Sequence, residues 1–317
     1  MTAVLQLVGG LVALVVGAEL LVGAGARLAA RFGVRPIIVG LTVVALGTSI
    51  PELAVGIDAA LSGSPELAIG NIVGTNLVNI LLILGLSAAL VPVAFDRATL
   101  RYDVPAMTAS ALALYLLSVN GTLTRLEGVL LLLGGLIYLA VRAWASLGED
   151  AGTPEPESGP PGTGPGIPRM TLQLLAGIVV VVVGAELLVD GAVASARSLG
   201  VSDAVIGLTV VAVGTSTPEL VTTVVTTIRG NREIAIGNLI GSSVFNITII
   251  LGLTVTVAPH GVPVPEEVLA ADLILLAVVG LAAVPAMVSG RRMSRVEGGL
   301  FVGVYVVYLG WLLLTRT

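Results

Sequence analysis

The sequence predicts an all-α polytopic membrane protein: ten transmembrane helices in two inverted five-helix repeats. Three observations predict it: hydropathy, an internal duplication, and an odd number of spans in each copy. The 317 residues are 56% hydrophobic and only 11% charged, with a mean hydropathy of +1.06, more apolar side chain than a water-soluble core would hold. A bilayer core is crossed by about 20 apolar residues. Such stretches lie at 3–26, 37–61, 67–92, 104–119, 126–145, 171–196, 204–228, 234–258, 268–288 and 297–315. The first lacks a basic leading segment and outruns a signal-peptide core, so it is expected to be a helix rather than a cleaved leader.

The duplication is visible as two heptapeptides, GTSIPEL at 47–53 and GTSTPEL at 214–220, 167 residues apart. At the same offset GAELLV (17–22) recurs at 184–189, GLTVVA (40–45) at 207–212 and AIGN (68–71) at 235–238. About half of the positions in 17–86 are identical to those in 184–253, without a gap. The expected organisation is a first repeat at 1–147, a Pro-, Gly- and acid-rich linker at 148–169, and a second repeat at 170–317. The linker composition does not bury enough apolar surface to fold. Five spans per copy send the second copy into the membrane from the opposite side. Inverted repeats of this kind belong to secondary transporters, with a binding site near the midplane where the copies meet.

Orientation follows from arginine, the sole basic residue type apart from one histidine. With both termini outside, twelve arginines, including Arg27, Arg31, Arg97, Arg101, Arg142, Arg229, Arg232 and Arg291, fall on the cytoplasmic side, and Arg125, Arg197 and Arg316 outside. The linker is then cytoplasmic. A net charge of −5 suits no nucleic-acid partner, and the absence of cysteine excludes thiolate metal sites.

Within each heptapeptide, chemistry concentrates at membrane depth. Pro51 has no N–H to donate to the Gly47 carbonyl and crowds it, so the second span should bend or break there and free backbone oxygens around Ala45 to Thr48. Thr48 and Ser49 precede Glu52 by four and three residues, which puts them on its helical face. Thr215, Ser216, Pro218 and Glu219 repeat the set. The following spans carry GNIVGTNLVN (70–79) and GNLIGSSVFN (237–246), where Thr75 with Asn79 and Ser242 with Asn246 are each four apart. Gly70, Gly74, Gly237 and Gly241 are expected to let helices approach closely. Two carboxylates among neutral oxygens suit a hard cation. Calcium takes six to eight oxygens in flexible geometry, while magnesium gives up water reluctantly.

These paired motifs resemble those of the prokaryotic branch of the calcium/cation antiporter superfamily, the sodium/calcium exchangers, whose two alpha-repeats carry G-T-S-x-P-E-L followed by G-N-x-x-G-S/T-N. The resemblance covers nearly the whole chain and implies exchange of outward Ca²⁺ for inward Na⁺ across a prokaryotic cell membrane by alternating access. It implies Glu52 and Glu219 as central carboxylates and Thr48, Ser49, Thr215 and Ser216 as hydroxyl or backbone ligands. It also implies Ala45 and Ala212 as carbonyl ligands, Thr75 and Ser242 as ligands to flanking sodium sites, and Asn79 and Asn246 at the remaining polar positions. Ca²⁺ and Na⁺ are then substrates; no cofactor and no obligate protein partner beyond the bilayer is expected. Many members carry aspartate where this chain has Asn246, and Ser243 stands where the first copy has Asn76. That departure makes the site less negative and removes a proton acceptor.

Other readings have less support in the residues. A cation/proton antiporter would use the same glutamates. A passive channel would spread its oxygens along a pore rather than gather them at one depth. An intramembrane enzyme lacks its groups, since the one histidine, His260, sits in a loop beside Pro259 and no H-E-x-x-H or matched aspartate dyad occurs. Glu19 and Glu186 recur at the repeat offset and are assigned to an interface or helix pairing, while Asp58 and Asp190 are expected near water.

Overall fold

The structure, a computed structural model, describes residues 2–32, 36–61, 65–148, 166–198 and 212–315. The first half contains α1 (Thr2–Phe32), then a span of α2 (Pro36–Val39), a wide π-helical turn (Gly40–Val44), α3 (Ala45–Thr48) and α4 (Ile50–Leu61). A span of α5 (Glu66–Leu77), a π turn (Val78–Leu84) and α6 (Gly85–Leu90) follows. Next comes α7 (Val104–Ser118), entered through the π turn Thr99–Asp103, and then α8 (Arg125–Gly148).

The second half repeats this order. It comprises α9 (Ile167–Ser198), α10 (Ala212–Thr215), α11 (Thr217–Ile228) and α12 (Arg232–Phe245). The π turn Asn246–Leu251 leads into α13 (Gly252–Val257), the π turn Val268–Asp272 into α14 (Leu273–Val288), and α15 (Arg295–Thr315) closes the chain. Among the described residues seven helices are long and apolar enough to cross a membrane, and the bent pair at 37–61 makes an eighth. The span predicted at 104–119 appears as α7 lengthened by its π turn. That at 204–228 is described from Ala212 onward. Residues 204–211, most of the GLTVVA repeat at 207–212, the linker residues 149–165, Arg35 and Arg316 lie outside the described residues.

The all-α class holds, with short ladders in the loops between spans. Four two-residue strands occur where the sequence reads as loop: β1 (Val93–Ala94), β2 (Thr122–Leu123), β3 (Val262–Pro263) and β4 (Arg292–Met293). β1 pairs antiparallel with β4, and β2 with β3, so each ladder joins one half to the other. The flanking hydrogen bonds correspond too, Phe95 N–H to the Arg291 carbonyl at one end and Val264 N–H to the Gly121 carbonyl at the other, both 2.9 Å. This reciprocal pairing is what a two-fold between inverted copies produces. It also brings the loops around Arg97 and Arg291 to one face and those around Arg125 and His260 to the opposite face. Capping boxes start the last helix of each half. Thr124 and Ser294 receive Glu127 and Glu297 on their backbone N–H groups at 2.6 and 2.7 Å, and their hydroxyls accept the Glu127 and Glu297 N–H in return.

The main core draws on both halves, with Leu77, Leu81, Leu84 and Met107 packed in one cluster with Leu239, Val244, Phe245 and Leu276. Helices α1 and α9 stand to one side, antiparallel and joined by a small-residue seam at seven-residue spacing. Gly10 and Gly17 meet Leu188 and Val181, while Gly177, Gly184 and Gly191 meet Leu21, Leu14 and Leu7. The Glu19 carboxylate bonds the Arg229 guanidinium at the end of α11, so the helix-pairing role expected of Glu19 is an ion pair.

Gly237 and Gly241 lie against the backbone of Ile37 and Leu41, while Gly70 and Gly74 have nothing within 4 Å of an added Cβ among the described residues, which leave out 204–208, the repeat counterparts of Ile37–Leu41. At Gly237 a Cβ would stand 2.5 Å from the Ile37 carbonyl oxygen, and the facing Gly40 is equally tight against Ile234. Gly237→Leu is therefore expected to cost at least about 1 to 3 kcal/mol of stability by overpacking and to remove the monodisperse peak in detergent size-exclusion chromatography. A Gly237→Leu variant that keeps the wild-type peak would refute the assignment.

Candidate cation site

Each half breaks at the same place in the same way. α3 ends at Thr48, Ser49 takes φ −89° and ψ 9°, and the chain bends by 43° into α4. Ser216, its counterpart, takes φ −83° and ψ 0° before α11. Both conformations lie in the sparsely allowed bridge region. The proline accounts for them, because Pro51 and Pro218 occupy first turns where the missing N–H is tolerated. The helix resumes as Leu53 N–H reaches the Ser49 carbonyl at 3.2 Å and Leu220 N–H the Ser216 carbonyl at 3.1 Å. Glu52 and Glu219 thereby sit in the first turns of α4 and α11, where the positive end of the helix dipole favours a carboxylate.

The freed carbonyls are not those expected throughout. The Ala45 oxygen keeps a helical partner, Ser49 N–H at 3.1 Å, and lies 3.3 Å from Thr48 Oγ1. The break falls one residue later than the Ala45 peptide, so this oxygen reaches a ligand only through its second lone pair. Ala212 opens α10, the matching helix.

The two clusters meet. Ser49 Oγ lies 3.4 Å from Glu219 Oε1 and 3.3 Å from Ser242 Oγ, and Ser242 Oγ lies 3.4 Å from the same Glu219 oxygen, within hydrogen-bonding reach of one another. Thr48 Oγ1 donates to Asn238 Oδ1 at 3.1 Å. Glu52 lies within electrostatic reach of Glu219. Thr48, Ser49, Thr75, Asn79, Thr215, Ser216, Ser242 and Asn246 are all buried with them. Asn79 and Asn246 stand at the start of their π turns, Val78–Leu84 and Asn246–Leu251, and wide turns of this kind recur at functional positions.

Several oxygens here have no protein partner. Both oxygens of Glu52, Oε2 of Glu219, Oγ1 of Thr75 and both polar side-chain atoms of Asn79 and Asn246 are buried without a hydrogen bond. A buried unpaired carboxylate is expensive unless a counter-charge shares it. No three His, Cys, Asp or Glu side chains converge among the described residues, so any cation here is held by two carboxylates and by hydroxyl, amide and carbonyl oxygens. That donor set is hard and flexible, the kind that takes Ca²⁺ or Na⁺.

Asn238 belongs to this cluster and is absent from the sequence-predicted set, although its place in the duplicated AIGN at 68–71 and 235–238 was a usable signal. A second buried group was also missed. Asp103, Tyr138 and Arg142 form a cluster in which Asp103 Oδ1 accepts the Tyr138 hydroxyl at 3.0 Å and stands 2.8 Å from Arg142 Nε as an ion pair. The second half repeats the tyrosine and aspartate as Tyr308 and Asp272, also at 3.0 Å. It puts Leu312 where the first half has Arg142. Arg142, expected as a topological anchor at the membrane surface, is 2% exposed and neutralises a buried aspartate instead. Loop-length differences shift this pair off the 167-residue register, which hid it.

The residues on either side of the linker match the family model described as sodium/calcium exchanger protein, at 2–144 and 170–314. The chain belongs to the sodium/calcium exchanger family. Among family relatives, it is 32% identical over 341 residues to the sodium/calcium exchanger MaX1 of Methanosarcina acetivorans, covering 95% of each chain. It is 36% identical over 258 residues to the inner membrane protein YrbG of Escherichia coli, covering 80% of this chain and 79% of that one. The solved structure of the sodium/calcium exchanger from Methanococcus jannaschii superposes with a TM-score of 0.82 at 29% identity, covering 98% of both chains. The fold is thus shared over 98% of this chain.

Proposed function

We propose that this family member is a secondary active antiporter that exports Ca²⁺ against Na⁺ import, the two ions competing for one midplane site between the halves. The observation that carries this is the pair of buried carboxylates, one from each copy, Glu219 held across the halves by Ser49 and both surrounded by oxygens without protein partners. Glu52 and Glu219 supply the charge. Thr48, Ser49, Thr215 and Ser216, with the carbonyls of Ala45 and Ala212, supply hydroxyl and backbone oxygens around the central cation. Thr75, Ser242, Asn79 and Asn246 serve the flanking positions. The two copies, 1–147 and 170–317, move relative to one another about this fixed site. Both termini face outward and the linker lies in the cytoplasm, the arrangement that puts most arginines inside.

The test is Ca²⁺ flux in proteoliposomes under separate sodium and proton gradients. Calcium-45 uptake should follow an outward sodium gradient and saturate with external Ca²⁺. Uptake driven by a pH gradient and indifferent to sodium would establish proton coupling instead, and flux without a counter-ion would establish a channel.

Asn246 allows a second measurement. A neutral amide leaves the site with two carboxylates and no third proton acceptor, so Asn246→Asp is expected to make exchange pH-dependent or to change its ion coupling. Identical kinetics across pH would remove Asn246 from the site.

A further inference from the structure

On α11, Glu219, Thr222, Thr223 and Thr226 recur at helical spacing and are all buried. A polar stripe therefore runs from the carboxylate toward Arg229. Thr226 and Thr227 bond back to carbonyls of their own helix at 2.7 Å. The hydroxyls of Thr222 and Thr223 are buried with no hydrogen bond. Thr223, 1% exposed, and Thr227 line a cavity of about 360 Å³ whose other walls include Ser87, Asp96, Thr99, Arg232 and Glu233. Thr223 is one helical turn from Glu219, about 6 Å of rise, so the cavity stops one turn short of the site.

The repeat supplies an internal control. At the 167-residue offset Thr223 corresponds to Gly56, Thr227 to Ala60 and Ser87 to Thr254. Between Thr223 and Ser87 the structure holds a cavity. Between Gly56 and Thr254 it holds a contact so tight that a Cβ on Gly56 would lie 2.7 Å from Thr254 Oγ1. Matching surfaces are thus open on one face and shut on the other. The open one carries two carboxylates, Asp96 and Glu233, against one guanidinium, Arg232, together with four hydroxyls. Asp96 also holds the Thr99 N–H at 2.7 Å, which fixes that wall.

We infer that this cavity is the vestibule through which Na⁺ and Ca²⁺ pass between the arginine-rich face and Glu219, with the Thr222 and Thr223 hydroxyls replacing water on the last turn. This rests on the exchange function proposed above and adds its route and sidedness. A chain without cysteine gives a clean background for the test. Thr223→Cys and Thr227→Cys are made singly and exposed to a small cationic methanethiosulfonate that does not cross the bilayer, in whole cells and in inside-out vesicles. Labelling is read by mass, and calcium-45 exchange is measured before and after.

Both cysteines should label in inside-out vesicles, Ca²⁺ should slow labelling at Thr223→Cys, and labelling should abolish exchange. Ala60→Cys should stay unlabelled from that side. Failure of both threonine positions to label from either side, or full exchange after labelling, would overturn the vestibule. Should Thr223→Cys not fold, Thr223→Ser and Thr223→Val carry the test. The serine form should keep the uptake rate that the valine form loses, and equal rates would overturn the role of the hydroxyl. Mass labelling needs no transport, so a protein that labels with Ca²⁺ protection yet exchanges without sodium dependence would fault the exchange reading and leave the vestibule standing.

Discussion

Glu52→Gln and Glu219→Gln should each abolish sodium-driven calcium-45 uptake in proteoliposomes. Each removes one of two buried carboxylates and leaves a neutral amide of the same shape, so a loss is assignable to charge rather than packing. Each carboxylate is one partner of a buried charge pair whose other partner is the bound cation, and removing such a partner costs about 2 to 5 kcal/mol, roughly 30-fold to several-thousand-fold in affinity. The two variants should differ in secondary effects. Glu219 accepts the hydroxyls of Ser49 and Ser242, so its amide also disturbs the bridge between halves. Glu52 has no protein partner for either oxygen, and its amide should leave the thermal stability of the cation-free protein unchanged or raised. Full exchange by either variant would remove that glutamate from the site.

Arg142→Met should be the most destabilising single substitution away from the site. It leaves the Asp103 carboxylate, 0% exposed, with the Tyr138 hydroxyl as its remaining named donor. Breaking a buried ion pair from one side costs about 3 to 5 kcal/mol, whereas replacing both partners with apolar groups is often neutral. Asp103→Leu with Arg142→Met should therefore recover most of the stability that Arg142→Met loses, a strongly non-additive cycle. Thermal unfolding in detergent measures it. A single Arg142→Met variant that unfolds at the wild-type temperature would show that the pair contributes nothing. The consequence extends toward the cation site, because Tyr138 packs edge-on against Phe245 at 6.1 Å, the residue before Asn246.

Much of the architecture is legible because local and periodic signals dominate in a membrane. The spans follow from apolar run length, the breaks at Ser49 and Ser216 from proline chemistry, and the candidate cage from a motif that recurs 167 residues later. The burial of Arg142 was not legible, since a charge near the predicted end of a span has the same sequence signature whether it reaches water or a buried aspartate. That Gly237 and Gly241 face the backbone of Ile37 and Leu41 is likewise a tertiary fact, since the same four-residue spacing occurs at Gly70 and Gly74. The π turns at Asn79 and Asn246 have no composition signal, since they depend on one backbone hydrogen bond shifting by a residue.

By itself the sequence determined the membrane class, the duplication, the positions of both helix breaks and the residue types at the site, all properties of short segments and their recurrence. Only the tertiary structure decided which oxygens meet. It joined Ser49 to Glu219 and Ser242, drew Asn238 to Thr48, paired Asp103 with Arg142, and opened the Thr223 face while shutting the Gly56 face. Those outcomes depend on how two inverted copies pack against each other, and packing between distant segments is set by side-chain complementarity that no local period encodes.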